Sequence, residues 1–287
     1  MGTNIRLVVA EDAVACGRII YDAFNGIADA HGFPQDFPSI DIPTQFAATF
    51  IAHRSIFGVV AEEDGRVVGT GFVTERDAIR AVGPIAVDPA HQGGGIGRQL
   101  MEAVLDRAGG AVGVRLVGDA FNTRSVALYT SLGFEVKEPL LLMRDKPQSE
   151  AMPGFAVRPL VPDDIGECSR LCASVHAVER TAELWDAVQS FAPIIVEHDG
   201  SISGYMTAPT FWPMNHGVAT NEGDMRALIA GAAAESPEPI SFLLPVRQAS
   251  LFRWCLGKGF RVVKPMTLMA VGDYQEPSGV WLPSVFY

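Results

Sequence analysis

The sequence predicts an α/β protein with two similar domains that are joined near residue 150. The chain has 287 residues, enough for two domains of about 150 residues each. Landmark residues of the first half recur in the same order in the second half. Between the halves, residues 145–153 contain two prolines together with Gln, Ser and Glu, which is the composition of a linker.

The internal repeat has three parts, and the second copy becomes progressively shorter than the first. Their offsets along the chain are 152, 135 and 126 residues, for the pairs 5–12 with 157–164, 64–69 with 199–204, and 133–143 with 259–269. A common order with a shrinking offset indicates one structural unit used twice.

Each copy is predicted to form a strand and a helix, then a hairpin, then further strands and helices. The first hairpin joins 57–62 to 66–73 through Glu63-Asp64-Gly65, and the second joins 194–197 to 201–207 through His198-Asp199-Gly200. An Asp-Gly turn between apolar β-type runs is a strong hairpin signal.

Composition narrows the class of protein. Hydrophobic residues make up 48% of the chain, which is typical of a globular protein. The chain has 22 Lys and Arg against 33 Asp and Glu, a net charge of −11, and no basic run, so we expect no nucleic-acid partner. We find neither a signal-peptide pattern nor an apolar run that could span a bilayer. We therefore expect a cytoplasmic protein without a membrane partner, a monomer or a homodimer.

The four cysteines do not indicate a metal site. Cys168 and Cys172 lie four residues apart on a predicted helix, where they could share one ion, but no His or Cys cluster of matching spacing accompanies them. We therefore predict no metal and reduced cysteines.

A glycine-rich loop is the most informative segment of the sequence. The apolar strand 82–87 leads through Asp88-Pro89 to three consecutive glycines and then Gly97, after which apolar residues follow at helical spacing. A glycine loop at a helix N-terminus offers free N–H groups and a positive dipole to a phosphate. A purely structural glycine turn is the simpler alternative.

Two phosphate-binding motifs fit this loop poorly. A P-loop requires Gly-Lys-Ser/Thr, whereas Gly97 is followed by Arg98 and Gln99. A dinucleotide loop requires a small third residue, whereas Leu100 stands there, and five residues separate the strand from the glycines. Asp119 follows the next strand, as a ribose-binding acid would, so a dinucleotide remains an alternative.

A third motif fits better. The segment Gln92-x-x-Gly95-x-Gly97 resembles the acyl-CoA loop of the GNAT acetyltransferases, and Asn122…Leu128-Tyr129…Gly133-Phe134 resembles a second signature of that family. The resemblance identifies 3–146 as an N-terminal GNAT domain, followed by a linker at 147–154 and a degenerate copy at 155–287. It implies that each domain is a mixed, mostly antiparallel sheet flanked by helices.

The resemblance also implies acetyl-CoA as the acyl donor and coenzyme A as a product. In such folds two parallel strands splay apart, and the exposed strand backbone pairs with the pantetheine while the loop N–H groups hold the pyrophosphate. The positions implied to bind the cofactor are Ile85, Ala86, Val87, Gln92, Gly93, Gly94, Gly95, Ile96, Gly97, Arg98, Asn122 and Ser125.

The implied reaction is direct attack of a primary amine on the thioester. An N–H group of the splayed strand would stabilise the oxyanion. Tyr129 stands at the family's tyrosine position and would protonate the departing thiolate. Alternatively, Tyr129 simply packs in the core. Asn122 could position the cofactor or only cap the next helix.

No spacing identifies the general base. The candidates are Glu75, Asp119 and His31, or a chain of water molecules, and the resemblance to multi-domain members of the family adds the α-carboxylate of Tyr287. The acceptor is expected to be a small amine, which an acidic protein suits, although solubility explains the charge equally well.

The first copy is longer than the second mainly at 24–49, where the resemblance implies the acceptor-binding loops. The candidate residues are His31, Phe33 and Phe37, with Phe46 nearby, although these aromatic residues could equally hold the loop in place.

The second copy lacks the glycine loop, and Cys255 stands at the position equivalent to Tyr129. We therefore expect no acetyl transfer there, and a copy that shapes or covers the acceptor site. A different class of function, a non-catalytic acyl-CoA sensor, also fits the cofactor motif. It would leave the leaving-group acid Tyr129 without a use.

Overall fold

The computed structural model describes residues 2–147 and 152–286, here called the N-terminal and C-terminal halves. The predicted fold class is confirmed, because both halves combine mostly antiparallel sheets with flanking helices. Of the predicted linker 147–154, residues 148–151 lie outside the described residues. The boundary residues of the domains stay a prediction. Among the described residues, no helix is both long and apolar enough to cross a membrane.

The N-terminal half follows the predicted order of elements. In chain order it contains β1 (Asn4–Leu7), α1 (Ala13–His31), α2 (Asp41–Ala52), β2 (Ile56–Glu63), β3 (Arg66–Thr74), β4 (Ile79–Val87), α3 (Ile96–Arg107), β5 (Gly113–Asp119), α4 (Thr123–Ser131) and β6 (Glu135–Asp145).

The C-terminal half repeats that order and adds one strand at its end. It contains β7 (Phe155–Pro159), α5 (Ile165–His176), α6 (Thr181–Ser190), β8 (Ile194–His198), β9 (Ser201–Met206), β10 (Gly217–Ala219), α7 (Glu222–Glu235), β11 (Ile240–Pro245), α8 (Ala249–Gly257), β12 (Arg261–Gly272) and the extra β13 (Val280–Leu282).

The first repeated segment forms the same ion network in both halves. Arg6 donates two hydrogen bonds to Asp12, at 2.7 and 2.9 Å, and one to Glu62 at 2.8 Å. Arg158 makes the same two-point contact with Asp164, at 2.7 and 2.9 Å, and also donates to Glu197. Each network ties the first strand of its half to the start of the first helix and to the hairpin.

The Asp-Gly turns explain the two hairpins. Asp64 and Gly65 have φ values of 48° and 73°, and Asp199 and Gly200 have 50° and 77°. Two successive residues with positive φ form the turn whose twist matches paired antiparallel strands, and Asp and Gly tolerate that conformation.

The two halves exchange their last long strands. The larger sheet has the order β1-β2-β3-β4-β5-β12-β6-β11, and the smaller one β13-β10-β9-β8-β7. Thus β12, from the C-terminal half, lies between β5 and β6 of the N-terminal half, and β6 lies between β12 and β11. One continuous sheet therefore joins the halves, an arrangement that the sequence did not predict.

Candidate functional site

A gap between β4 and β5 forms the site. These two strands run parallel and pair over only three residues, Ile79–Ala81 of β4 with Gly113–Arg115 of β5. Beyond Ala81, β4 stays paired with β3 as far as Val87, while β5 stays paired with β12. The strands therefore separate, and a cavity of about 850 Å³ occupies the space between them and above the sheet.

The edge of β4 that faces the gap carries free backbone groups. The N–H of Asp88 donates to the carbonyl of Val68 on β3. Because N–H groups alternate in direction along an antiparallel strand, those of Ile85 and Val87 point into the gap, whereas that of Ala86 points towards β3. The Val87 carbonyl accepts a hydrogen bond from the Gln92 side chain at 3.1 Å. Of the three predicted strand residues, two thus present N–H groups to the cavity.

The glycine loop forms an anion-binding helix terminus. Gly93 and Gly95 have φ values of 90° and 89°, a conformation that strongly favours glycine. Within the described residues, the N–H groups of 93–97 make no hydrogen bond, whereas those of Arg98 and Gln99 donate to the Gly95 carbonyl. Five adjacent free donors at a helix N-terminus suit a phosphate group. The predicted N–H donor at Arg98 is already used within the helix.

Two arginines lie beside this loop. The Arg98 guanidinium donates to the Ser131 hydroxyl at 2.6 Å and lies 3.7 Å from Glu102. Arg124, which the sequence analysis missed, is exposed and lines the cavity, and a Cβ atom at Gly93 would lie 3.6 Å from its guanidinium. Its only signal in the sequence was a basic residue in the first turn of α4.

Tyr129 projects from α4 into the cavity. Its ring packs edge-on against Phe134, with centroids 6.3 Å apart, and lies beside Gly118 of β5. Burial raises the pKa of the Tyr129 phenol, and a hydrogen bond with Ser125 opposes this only in part. The phenol is therefore protonated at neutral pH. Asn122 caps α4 by accepting a hydrogen bond from the Ser125 N–H at 3.2 Å, so its side chain has a structural use.

The candidate bases lie in different places. Glu75 makes a two-point ion pair with Arg107, at 3.0 and 2.9 Å, and does not line the cavity, which argues against it as the base. His31 is exposed, bonds the Ile27 carbonyl at 3.0 Å and also lies outside the cavity lining. Tyr287 lies outside the described residues. Asp119 is the candidate that lines the cavity.

Asp119 belongs to a buried group of three charges. Lys264, from β12, lies 2.7 Å from the Asp119 carboxylate and 2.7 and 2.8 Å from the two carboxylate oxygens of Asp36. Lys264 is only 1% exposed. Burial raises the pKa of Asp119, and the charge of Lys264 opposes that shift.

Only some of the aromatic residues that were predicted to bind the acceptor line the cavity. Phe37 lines the cavity, whereas Phe33 stacks on Phe121, with centroids 4.3 Å apart, outside the cavity lining. The C-terminal half supplies lining residues that the sequence did not indicate, among them Phe211, Trp212 and Phe286. The exchange of strands brings them here, and no local pattern could have shown it.

In the C-terminal half the corresponding gap is filled. There β13 pairs with β10 over its whole length, from Gly217 opposite Leu282 to Ala219 opposite Val280, and packs against β11. The side chain of Gln248 donates to the Trp281 carbonyl at 2.6 Å. The strand edge that is open in the first half is therefore used for pairing in the second.

A buried cluster in the C-terminal half brings together Cys172, His176 and His216. Their ligand atoms lie within 4.8 Å of one another, close enough to share one metal ion, and the two imidazole Nε2 atoms are 3.3 Å apart. Burial lowers the pKa of His176 to about 3 and also lowers that of His216. The sequence analysis had considered Cys168 as the partner of Cys172, and its expectation of no metal stays a prediction.

Comparison with known proteins adds a family and a fold. Residues 20–134 match the model of the acetyltransferase (GNAT) family. A stretch of 51 residues is 51% identical to the N-alpha-acetyltransferase RimI of Mycobacterium tuberculosis, and covers 18% of this chain and 32% of that protein. A stretch of 52 residues is 50% identical to an uncharacterised protein of Mycobacterium leprae, and covers 18% of this chain and 14% of that protein. The chain thus matches less than a third of the length of either relative.

Solved structures match over nearly the whole chain. A candidate acetyltransferase from Pyrococcus horikoshii has a TM-score of 0.78 at 14% identity and covers 99% of this chain and 95% of that one. A GCN5-related N-acetyltransferase from Sphaerobacter thermophilus has a TM-score of 0.64 at 19% identity and covers 96% of both chains. A tandem GNAT protein from the clavulanic acid biosynthesis pathway has a TM-score of 0.61 at 14% identity, covering 96% of this chain and 100% of that one. At these identities the similarity shows the fold alone.

Proposed function

The chain belongs to the acetyltransferase (GNAT) family through its N-terminal half, and on this premise we propose that it transfers an acetyl group from acetyl-CoA to a primary amine. The observation that carries the proposal is the gap between β4 and β5, with free N–H groups along one strand and at the glycine loop. The protonated phenol of Tyr129 lines the same cavity.

The residues present fit the donor. Gly93 and Gly95 leave the five loop N–H groups free, and Arg124 adds a positive charge beside them. This set suits a pyrophosphate, and the edge of β4 offers hydrogen-bonding groups to an extended chain with amide groups. When bound there, acetyl-CoA supplies the thioester carbonyl that the amine attacks.

The chain's own groups then divide the work. An N–H directed into the gap, from Ile85 or Val87, stabilises negative charge on the carbonyl oxygen. Tyr129 holds the proton that passes to the sulfur as the carbon–sulfur bond breaks, and the proton that the nitrogen loses as the amide forms returns to the phenolate directly or through water. Asp119 attracts the ammonium form of the acceptor and is the candidate to accept its proton, directly or through water, before the carbon–nitrogen bond forms. The ammonium of Lys264, 2.7 Å away, opposes the rise in pKa that burial imposes on this carboxyl group, and a raised pKa suits a proton acceptor.

The first test is whether the glycine loop binds coenzyme A. We expect acetyl-CoA and coenzyme A to raise the melting temperature, by a few degrees at a hundredfold excess over Kd. Gly95→Glu should abolish this shift, because it adds a negative charge and a side chain at a positive φ. Gly110→Glu is the matched control: Gly110 has a φ of 87° near the other end of α3, and a Cβ atom added there would lie in open space among the described residues.

The second test is turnover. Acetyl-CoA with a panel of primary amines should give acetylated products by mass spectrometry and free thiol in equal amounts. A wild-type protein that binds acetyl-CoA but acetylates no amine would favour the sensor instead. If neither coenzyme A nor NADH shifts the melting temperature, the glycine loop has only a structural role.

The cellular setting is also a proposal. From the sequence we propose a cytoplasmic monomer or homodimer without bound metal. Light scattering coupled to size-exclusion chromatography, together with metal analysis of the purified protein, tests the last two points.

A further inference from the structure

The C-terminal half contributes part of the cavity lining. Its inserted strand β12 brings Thr267, the segment 210–213 brings Trp212, and the chain beyond β13 brings Phe286. The same strand β12 carries Lys264, which bonds the carboxylates of Asp36 and Asp119 in the lining of the N-terminal half. We propose that this junction is the acceptor site and that it selects a monocationic primary amine on an apolar, aromatic-sized body, an inference that rests on the proposed acetyl transfer.

The charge of the junction favours a cationic acceptor. Two carboxylates, Asp36 and Asp119, share the single ammonium of Lys264 at 2.7–2.8 Å. With both carboxylates ionised the group carries one net negative charge, and the Asp119 and Asp36 side chains are 6% and 9% exposed. A buried negative charge is costly unless a cation approaches it. One cationic group of a ligand satisfies that need, and a carboxylate next to the amine would be repelled.

The apolar lining favours an acceptor with an apolar body. The Trp212 ring lies 5.4 Å from the Lys264 ammonium, and Phe286 packs against Phe46 and Phe50, with centroids 5.6 and 5.0 Å away. Phe37 lines the cavity together with Trp212 and Phe286, so all three aromatic rings contribute to its walls. Apolar walls with a few polar groups are typical of sites for small organic molecules. A second ammonium on the acceptor would have to be buried against these rings.

An unpaired hydroxyl in the cavity wall offers the acceptor a hydrogen bond. Thr267 lines the cavity, is 6% exposed, and its Oγ1 atom has no hydrogen-bond partner among the described residues. It lies opposite Gly118, the residue beside the Tyr129 ring. Asp119 is the next residue along β5, so its side chain projects to the other face of the sheet. The cavity is lined by both Thr267 and Asp119. The Thr267 hydroxyl can therefore form a hydrogen bond with a polar atom at the reacting end of the acceptor.

An exposed arginine limits the selection against anions to one end of the acceptor. Arg144 lines the cavity from β6, in register with Arg261 and Ser241, and is exposed, so it lies where the cavity opens to solvent. A carboxylate at the far end of the acceptor can lie near this cation, whereas one adjacent to the amine lies near Asp36 and Asp119. The position of a negative charge on the acceptor should therefore matter.

Four amines test the inference on the wild-type protein. We expect kcat/KM for 2-phenylethylamine to exceed that for phenylalanine, which adds a carboxylate beside the amine, by at least about 100-fold. It should exceed that for putrescine by about tenfold or more. 4-(2-Aminoethyl)benzoate, with its carboxylate at the far end, should stay within about fivefold of 2-phenylethylamine. Phenylalanine or putrescine as the better acceptor would overturn the inference.

Substitutions in the junction test which residues cause the preference among amines. Asp36→Asn removes the net charge while keeping the shape, so KM for 2-phenylethylamine should rise about tenfold and the preference over phenylalanine should shrink. Asp41→Asn, at an exposed carboxylate near the start of α2, is the control and should change neither. Thr267→Val should lower kcat/KM for all amines by a similar factor, about fivefold, the loss of one hydrogen bond. An unchanged preference in folded Asp36→Asn protein would overturn the charge argument.

Binding separates this inference from the acetyl transfer itself. The Kd of each amine is measured calorimetrically in the presence of saturating coenzyme A. Selective binding of 2-phenylethylamine without turnover would support the junction as a binding site and contradict acetyl transfer. Turnover with no preference for 2-phenylethylamine over phenylalanine and putrescine would support acetyl transfer and contradict the acceptor class.

Discussion

The two halves share a scaffold and differ at one gap between strands. In the N-terminal half, the edge of β4 beyond Ala81 is open and leads to the glycine loop. In the C-terminal half, the equivalent edge of β10 is paired with β13. The ion networks of Arg6 and Arg158 and the two Asp-Gly turns are nearly identical. The shared frame therefore maintains the fold in both halves, and the halves differ in whether this gap, which the proposed acetyl transfer requires, is open.

Removing the anchor of β13 should give the largest effect on stability. Trp281 is 1% exposed and packs edge-on against His176, with centroids 5.3 Å apart. Trp281→Ala leaves a large cavity, so we expect the free energy of unfolding to fall by about 4 kcal/mol, measured by urea denaturation. The control Trp185→Ala, at a tryptophan 44% exposed, should cost less than about 1 kcal/mol. A loss of that small size for Trp281→Ala would mean that β13 is only loosely attached.

The two equivalent helix positions should respond differently to substitution. Tyr129→Phe removes the proton donor, so kcat should fall about 100-fold while the Kd for acetyl-CoA stays unchanged. Cys255→Ala, at the matching position of the second half, should leave kcat within about twofold when assayed well below the melting temperature. Equal effects of both substitutions on kcat would contradict a single active half.

Acid should destabilise the C-terminal half first. Folding lowers the pKa of His176 to about 3, whereas the unfolded chain keeps a value near 6.5. The unfolded state therefore binds more protons below pH 6.5, and the stability that is complete above that pH is lost as the pH falls towards 3. From His176 alone we expect about 2 kcal/mol to be lost between pH 7 and pH 5.

Hydrogen exchange followed by mass spectrometry at both pH values shows which half opens. The position in the first copy that aligns with His176 is Phe24, which has no such pH dependence. We expect faster exchange in α5 and β10 at pH 5, and little change in α1. His31→Gln, at an exposed histidine, should not alter the result, whereas an unchanged exchange pattern in α5 and β10 would contradict the assignment.

The smallest expected effect tests the shared frame. Asp12→Asn and Asp164→Asn each weaken one arginine network, and in both cases the arginine lowers the pKa of the aspartate. Each substitution should cost about 1 kcal/mol, and the two costs should agree within about 0.5 kcal/mol. Thermal denaturation of the two variants measures this, and a clear inequality would show that the networks do different work.

Local signals explain what the sequence predicted well. The Asp-Gly turns at 64–65 and 199–200 and the glycines at 93–97 act through their own backbone conformation, so a few adjacent residues suffice to predict them. The repeat and the hairpin signals gave the order of elements, and the resemblance to one family indicated the role of Tyr129. These features do not depend on distant parts of the chain.

The features that the sequence did not predict all depend on long-range pairing. The contact of Lys264 with Asp36 joins residues 228 positions apart, and only the exchange of β6 and β12 brings them together. The pairing of Glu75 with Arg107 likewise removed a candidate base for a reason that no spacing shows. His176 and His216 are separated by a hairpin and meet Cys172 only in the folded core.

The exchange of β6 and β12 has a consequence for the ancestry and the engineering of the molecule. The two halves exchange strands as the two protomers of a strand-swapped dimer do, but here both belong to one polypeptide. Such a fused pair is released from symmetry, because one copy can lose its pocket while still donating a strand to its twin. The halves are consequently not portable modules: a truncated N-terminal half would lack Lys264 and expose the bare edges of β5 and β6, which invites aggregation.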